Sequence, residues 1–337
     1  MDTITHIALG ACMGEAFAGK TVGKKAMLWG VAAHGLPDID FLAAFWLDSS
    51  ENLLAHRGFT HSILFLLLGT PLLAYAAYRL HRTLDIPFKK WWLFMLLAVG
   101  AHLFIDAFNN YGVGWLEPFS HKRFSFNSIY VVDPFFSIVP AFASVLLVLF
   151  KRNPLLKKWL FMLGLLVPAA YLLYSFGNKW YIERETKRIL TAQKIPFKKI
   201  LTTPAPMQTW LWYVAAETDS GFYSSYRSVF DNDPQNIPVA FDAKNLQLTD
   251  AITDTAALQN LVDFSQGFYT LQQINDTILI NDLRFGKIIG WYDINERFAF
   301  YFYLQPDADN ALAVQRGRFA KWDEAVFKTL IRRIRGN

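Results

Sequence analysis

The sequence predicts an all-α, multi-pass membrane domain followed by a small α+β domain with an antiparallel sheet. Two observations carry this. Hydrophobic residues make up 53% of the chain and aromatics 16%, and the excess lies almost entirely before residue 177. Beyond that point, long apolar runs give way to short alternating stretches separated by turn residues. The expected domains are therefore 1–177 and 178–337.

Six apolar segments are expected as helices: Ile4–Ala18, Ala26–Leu47, Ser62–Leu80, Trp91–Phe108, Pro134–Phe150 and Trp159–Phe176. Several approach the ~20 apolar residues that span a bilayer. The first and fifth are short, which suits a tilted, re-entrant or protein-buried helix. Gly35-Leu36-Pro37 interrupts the second. Proline lacks an amide donor and clashes with the preceding turn, so that helix is expected to break at Pro37. Broken membrane helices recur where the chain faces a polar cavity.

In the second domain, Asn178–Lys194 reads as an amphipathic helix leaving the membrane. Trp210–Ala216 and Gly221–Phe230 read as strands joined at Asp219-Ser220-Gly221, a hairpin signal. Thr253–Phe264 is expected as a helix and Thr277–Asn281, Lys287–Tyr292 and Phe298–Leu304 as strands, with a basic helix over Lys321–Arg335. This domain contains no histidine, which makes it a poor place for a second metal site. Its protein partner, if it has one, is not specified by the sequence.

Asp2 and the absence of a basic leader argue against a cleaved signal peptide. Cys12 is the single cysteine, so an internal disulfide and cysteine-rich zinc or iron–sulfur sites are excluded. A net charge of +5, spread along the chain, gives no nucleic-acid footprint. Basic residues instead mark alternate loops: Lys20, Lys24 and Lys25; Arg79, Arg82, Lys89 and Lys90; Lys151, Arg152, Lys157 and Lys158. The positive-inside rule places those loops in the cytoplasm. Both termini, the second domain and the loops Asp48–His61 and Asn109–Ile129 then face outward.

Histidine and aspartate are costly in hydrocarbon unless paired, hydrated or bound to metal. They nevertheless cluster here as Thr5-His6, Pro37-Asp38-Ile39-Asp40, His56-Arg57-Gly58-Phe59-Thr60-His61 and His102-Leu103-Phe104-Ile105-Asp106. Asp38 lies about 20 Å above Lys25, and His102 about 18 Å above Lys90, at ~1.5 Å rise per residue. His6 and His61 open their segments on the outer side. All four motifs thus fall at one depth, in the outer half of the membrane.

His102 and Asp106 share a helix face at i,i+4, which suits ligands of one ion or of neighbouring ions; a simple His–Asp hydrogen bond is the plainer reading. Asp38 and Asp40 are candidate ligands, or one of them a general base; a helix cap beside Pro37 would explain only one of the two. His56 and His61 offer imidazole ligands, although an outer loop could simply be solvated. Gly58 permits a tight turn there, and Thr60 is a candidate N-cap for the third segment. Arg57 could hold a phosphate or carboxylate. Lys122 and Arg123, basic residues on the outer side, suggest an anionic substrate or headgroup, although exposed basic residues are common on any surface. His34 either joins the site or bonds a neighbour, His121 is open to either reading, and His81 is expected to be solvated.

The set Asp2-x-x-Thr5-His6, Pro37-Asp-x-Asp40, His56-Arg-Gly-x-Thr-His61-Ser62, His102-x-x-x-Asp106 and Pro118-Phe-Ser…Arg123-Phe resembles the YdjM/YbcI group over roughly residues 1–180. These are bacterial inner-membrane proteins regarded as metal-dependent hydrolases. The resemblance implies His6, Asp38, Asp40, His56, His61, His102 and Asp106 as metal ligands; His34 is outside the pattern. The group is in turn distantly similar to zinc-dependent phospholipase C and nuclease P1-type enzymes, an analogy of chemistry class only.

The leading expectation is a metal-dependent hydrolase using zinc, or more than one ion. Asp38 or Asp40 would accept or orient the proton of the attacking water, and Arg57, Lys122 or Arg123 would hold the anion. A phosphoester of a lipid or lipid-linked molecule suits headgroup depth. The alternatives are a metal-stabilised scaffold whose outer domain recruits a partner, and a transporter. A transporter predicts ligands through the full membrane depth, which these motifs do not provide.

Overall fold

The computed structural model describes residues 1–150, 153–233, 237–304 and 321–337. Lys151 and Arg152, two of the basic residues used for topology, lie outside the described residues. The chain divides into two compact units. One comprises Met1–Trp46, Leu54–Phe126 and Val131–Tyr174; the other comprises Leu47–Leu53, Asn127–Tyr130 and Ser175–Asn337.

The first unit is helical. Its helices α1 (Thr3–Val22) and α2 (Lys25–Gly35) form an antiparallel hairpin. Asp2 caps α1 by accepting from the Thr5 amide at 3.0 Å. Gly10, Gly14 and Gly30 bring the two backbones together: a Cβ built on Gly30 would sit 1.9 Å from the Gly10 carbonyl, and one on Gly14 2.1 Å from that of Ala26. Small residues four apart are the usual means of close helix approach in a membrane. As the sequence implies, α2 stops before Pro37. The chain continues as a 3₁₀ helix over Pro37–Phe45 rather than as a longer span.

Helix α3 (Ser49–Ala55), whose residues up to Leu53 fall in the second unit, leads into the His56–His61 loop. Helices α4 (Ile63–Leu80) and α5 (Phe88–Asp106) follow as a second hairpin. The cap of α4 is Ser62, which accepts from the Phe65 amide at 3.0 Å. Thr60, expected in that role, lies before the helix and bonds elsewhere. Helix α6 (Pro134–Leu149) begins at Asp133, whose carboxylate accepts from the Phe135 amide at 2.9 Å. Helix α7 runs unbroken from Pro154 to Ala192 despite Pro168. It absorbs both the sixth apolar segment and the amphipathic helix expected after it.

Among the described residues three helices are long and apolar enough to cross a membrane: α4, α5 and α7; α6 is a shorter apolar helix. The basic residues Lys20, Lys24, Lys25, Arg79, Lys89, Lys90, Lys157 and Lys158 sit at or beside the C-terminal ends of α1 and α4 and the N-terminal ends of α2, α5 and α7. The candidate ligands occupy the opposite ends of α1, α2, α4 and α5.

The second unit carries two antiparallel sheets. Strands β1 (Ile200–Pro204), β2 (Leu211–Glu217), β3 (Gly221–Ser228) and β4 (Val239–Ala243) pair in sequence order. Strands β5 (Tyr269–Ile274), β6 (Thr277–Asp282) and β7 (Tyr301–Tyr303) form the other sheet. Its core gathers Leu211, Tyr213, Phe222, Leu283, Ile289 and Trp291, with Val326 and Leu330 from helix α9 (Glu324–Ile334). Helix α8 (Thr255–Ser265) is capped by Asp254. The strand expected over Lys287–Tyr292 is absent: Lys287 makes one isolated bridge to Phe298 and the rest turns. Gly286 takes a left-handed φ of +67° just before it. The apolar side chains that suggested a strand, Ile288, Ile289 and Trp291, are instead buried in the core.

Candidate metal centre

The α1–α2 hairpin places His6 on the first turn of one helix against His34 on the last turn of the other. Their Nδ1 atoms are 3.1 Å apart, and both side chains are buried. The close packing at Gly10 sets this approach, since a Cβ there would meet His34 Cβ at 2.8 Å. The second nitrogen of His6, Nε2, lies 3.0 Å from Asp106 Oδ1. His34, left open by the sequence, therefore belongs with the motif residues. Its separation from His6 by a single hairpin is a signal that only the packing reveals.

The break at Pro37 turns the chain so that Asp38 and Asp40 diverge. Asp38 keeps 27% of its side chain exposed, whereas Asp40 keeps 4%. Asp40 organises the loop that follows α3. Its Oδ2 accepts from the Arg57 amide at 2.6 Å and from Thr60 Oγ1 at 3.2 Å, and lies 3.2 Å from His61 Nδ1. Its Oδ1 faces His56 Nδ1 at 3.2 Å. The turn itself falls at Arg57, at φ +59°, a conformation of order 1–3 kcal/mol above the usual regions for a residue with a side chain. Gly58 contributes space: a Cβ there would meet the carbonyls of Leu54 and Ala55 at 2.8 and 2.9 Å.

With Nδ1 held by Asp40, His61 directs Nε2 at the end of α5. There it meets His102 Nε2 at 3.0 Å, Asp106 Oδ2 at 3.5 Å and Asp38 Oδ1 at 3.7 Å. His102 Nε2 lies 3.5 Å from Asp38 Oδ1 and 3.6 Å from Asp106 Oδ2. Two ligands about 2.0–2.1 Å from a tetrahedral zinc ion are roughly 3.3 Å apart. Five of the six separations among Asp38, His61, His102 and Asp106 thus lie close to the edges of one coordination tetrahedron. A second group, His6, His34 and His102, also brings one ligand atom from each residue within 4.8 Å.

These residues fit a divalent cation on two further grounds. Among the described residues, His34 Nε2 and His102 Nδ1 are buried without a hydrogen-bond partner, and each such group costs about 1–3 kcal/mol. Two carboxylates and several imidazoles, all able to donate lone pairs, are also the donor set that borderline cations select. Cations already gather there: the Met1 amine lies against Asp106 Oδ1, and Arg57 Nε is 3.1 Å from Oδ2.

A cavity of about 540 Å³ opens onto this cluster. Asp38, His6, His56 and Arg57 contribute its polar lining, and Ile7, Ile39 and Phe41 its apolar lining. Asp40 and His56, expected as ligands, belong to neither four-atom nor three-atom cluster; they pair with each other beside it. Arg57 is buried, with Nη1 donating to Asn109 Oδ1 at 2.7 Å. Arg123 is also turned inward. Its guanidinium donates to the carbonyls of Leu54, His56 and Tyr111, tying the loop after α5 to the loop before α4. Lys122 alone of the three basic residues is exposed, its ammonium 5.6 Å from the Phe124 ring. His121 is exposed and pairs with Glu117 at 2.8 Å. His81, expected to be solvated, is half-buried and accepts from the Trp29 indole at 3.0 Å.

Residues 1–181, which carry every member of this cluster, match the family model described as YdjM inner membrane protein. The chain belongs to that family. It is 34% identical over 145 residues to the uncharacterized protein YfhP of Bacillus subtilis (strain 168), covering 41% of this chain and 43% of YfhP. It is 32% identical over 123 residues to the inner membrane protein YbcI of Escherichia coli (strain K12), covering 36% of this chain and 69% of YbcI. The chain thus spans less than half the length of YfhP. No solved structure matches it. As a member of an inner membrane family with apolar helices long enough to span, the chain is an inner membrane protein with transmembrane helices.

Proposed function

We propose that this chain is a membrane-bound, metal-dependent hydrolase that cleaves a phosphoester of a lipid or lipid-linked substrate at the outer face of the membrane. The observation that carries this reading is that five of the six separations among Asp38, His61, His102 and Asp106 are 3.0–3.7 Å, near tetrahedral edges, beside an open cavity. These four residues would hold the ion; His6, His34 and His102 form an alternative three-residue group beside it. A divalent ion, zinc foremost for this donor set, would supply water of lowered pKa and Lewis acidity toward a phosphoryl oxygen.

The protein's own contributions follow from position. Asp40 orients the His61 ring, as an outer carboxylate commonly does for a metal-ligating histidine. Arg57 neutralises Asp106 and faces the cavity with positive charge, where a substrate phosphate would sit. The apolar lining by Ile7, Ile39 and Phe41 suits the hydrocarbon-bearing part of an amphiphile. The basic residues at the opposite helix ends support placing the site, and with it the second unit, outside the cytoplasm.

A metal-stabilised scaffold is the second reading, favoured by a complete set of four protein ligands. The 27% exposure of the Asp38 side chain at the cavity weighs toward an accessible ion. The deciding experiment is hydrolysis of phospholipid vesicles by purified protein. Activity abolished by a chelator and restored by zinc is expected. Activity indifferent to chelation, or stoichiometric metal with no hydrolysis of any phosphoester, would contradict the hydrolase.

A further inference from the structure

We propose that His56, oriented by Asp40, is the proton-transfer residue of the site and not one of its ligands. This rests on the hydrolase reading above. His56 lines the cavity and keeps 36% of its side chain exposed. Its Nδ1 faces Asp40 Oδ1 at 3.2 Å, leaving Nε2 without a hydrogen-bond partner among the described residues. A carboxylate on one imidazole nitrogen, with the other nitrogen accessible to substrate, is the arrangement general acid–base catalysis requires. The ligand histidines cannot serve in this way. His61 and His102 are fully buried, and their Nε2 atoms face each other at 3.0 Å.

Asp40, the other contender for a base, is already committed. Its two oxygens receive the Arg57 amide, the Thr60 hydroxyl and the two histidines, and 4% of the side chain is exposed. It acts through His56 and is a positioning residue.

A neutral imidazole nitrogen that faces the cavity can accept a proton. In the reaction, His56 Nε2 takes a proton from the attacking water as the water oxygen bonds to phosphorus. The phosphorus–oxygen ester bond then breaks, and the same proton passes from Nε2 to the leaving alkoxide. Water and phosphodiester are consumed, phosphomonoester and alcohol are produced, and His56 returns to neutral. Asp40 stabilises the transient imidazolium.

The test uses full-length protein and two readouts, bound zinc and hydrolysis of bis(p-nitrophenyl) phosphate. His56→Asn retains an amide donor for Asp40 but has no group at the Nε2 position. It is expected to keep the zinc stoichiometry of the parent while turnover falls roughly 100-fold or more. Added imidazole is expected to restore part of the rate to His56→Ala and none to His61→Ala, which loses zinc. Loss of zinc from folded His56→Asn would make His56 a ligand, and unchanged turnover would remove its proton-transfer role; either overturns the proposal. A zinc-loaded parent with no hydrolysis removes the hydrolase reading and this proposal together, an outcome separable from the other two.

Discussion

Asp40 and His61 show how neighbouring residues divide the work. The sequence makes Asp38 and Asp40 equivalent candidates, because both follow a helix-breaking proline at the same depth. Only the turn after Pro37 separates them, leaving Asp38 at the cavity and Asp40 bonded to the His56–His61 loop. Asp40→Ala is expected to weaken metal affinity by about 10–100-fold, the usual effect of losing an outer-shell partner, with zinc titration as the measurement. Arg57 makes a second case. Its guanidinium and the Asp106 carboxylate are both buried, at 4% and 0% exposure. Removing one partner of a buried pair costs about 3–5 kcal/mol. Arg57→Ala should therefore lower the thermal stability of metal-free protein, and zinc should recover part of it by supplying another cation to Asp106. Equal losses with and without zinc would place the ion away from Asp106.

At the scale of elements, the site depends on how closely α1 and α2 pack. The apolar segments were legible from composition, as was the break at Pro37 from its chemistry. The His6–His34 contact was not, because it depends on three glycines that read as ordinary small residues until two helices meet over them. Gly30→Leu is expected to force the hairpin apart, since any Cβ there falls 1.9 Å from the Gly10 carbonyl. Bound metal should fall with it, measured beside Gly35→Ala, where a Cβ meets nothing within 4 Å. Metal retained in folded Gly30→Leu would show that His6 and His34 are dispensable. In the second unit, the hairpin of β2 and β3 was legible from Asp219-Ser220-Gly221. Strands β1, β4 and β5 were not, being short or mixed in polarity. Lys287–Tyr292 misled because burial in a core and burial in a sheet leave the same apolar run.

For the molecule as a whole, the alternation of basic helix ends with ligand-bearing ends gives the chain a polarity, and the proposed orientation follows from it. Cys12 is buried, so single engineered cysteines can report sidedness. Asp219→Cys, at a position with 89% of its side chain exposed, is expected to react with a membrane-impermeant maleimide added outside intact cells. Lys20→Cys should react only after permeabilisation. The reverse pattern would put the site and its substrate in the cytoplasm. The general class of the chain was legible because hydrocarbon tolerates so few ways of carrying histidine and aspartate. The division of those residues into ligands, orienting groups and a cavity-facing imidazole was not legible, since it is set by distances of a few tenths of an ångström across five chain segments.

The central claim, that Asp38, His61, His102 and Asp106 hold a divalent ion, is tested most directly by the metal content of purified protein, measured beside His102→Ala and Asp106→Ala. Zinc near or above one equivalent in the parent, falling sharply in both variants while they remain folded, is the predicted result. Protein that binds no metal even after incubation with zinc, manganese or iron would contradict it and reduce the cluster to buried hydrogen-bonded pairs.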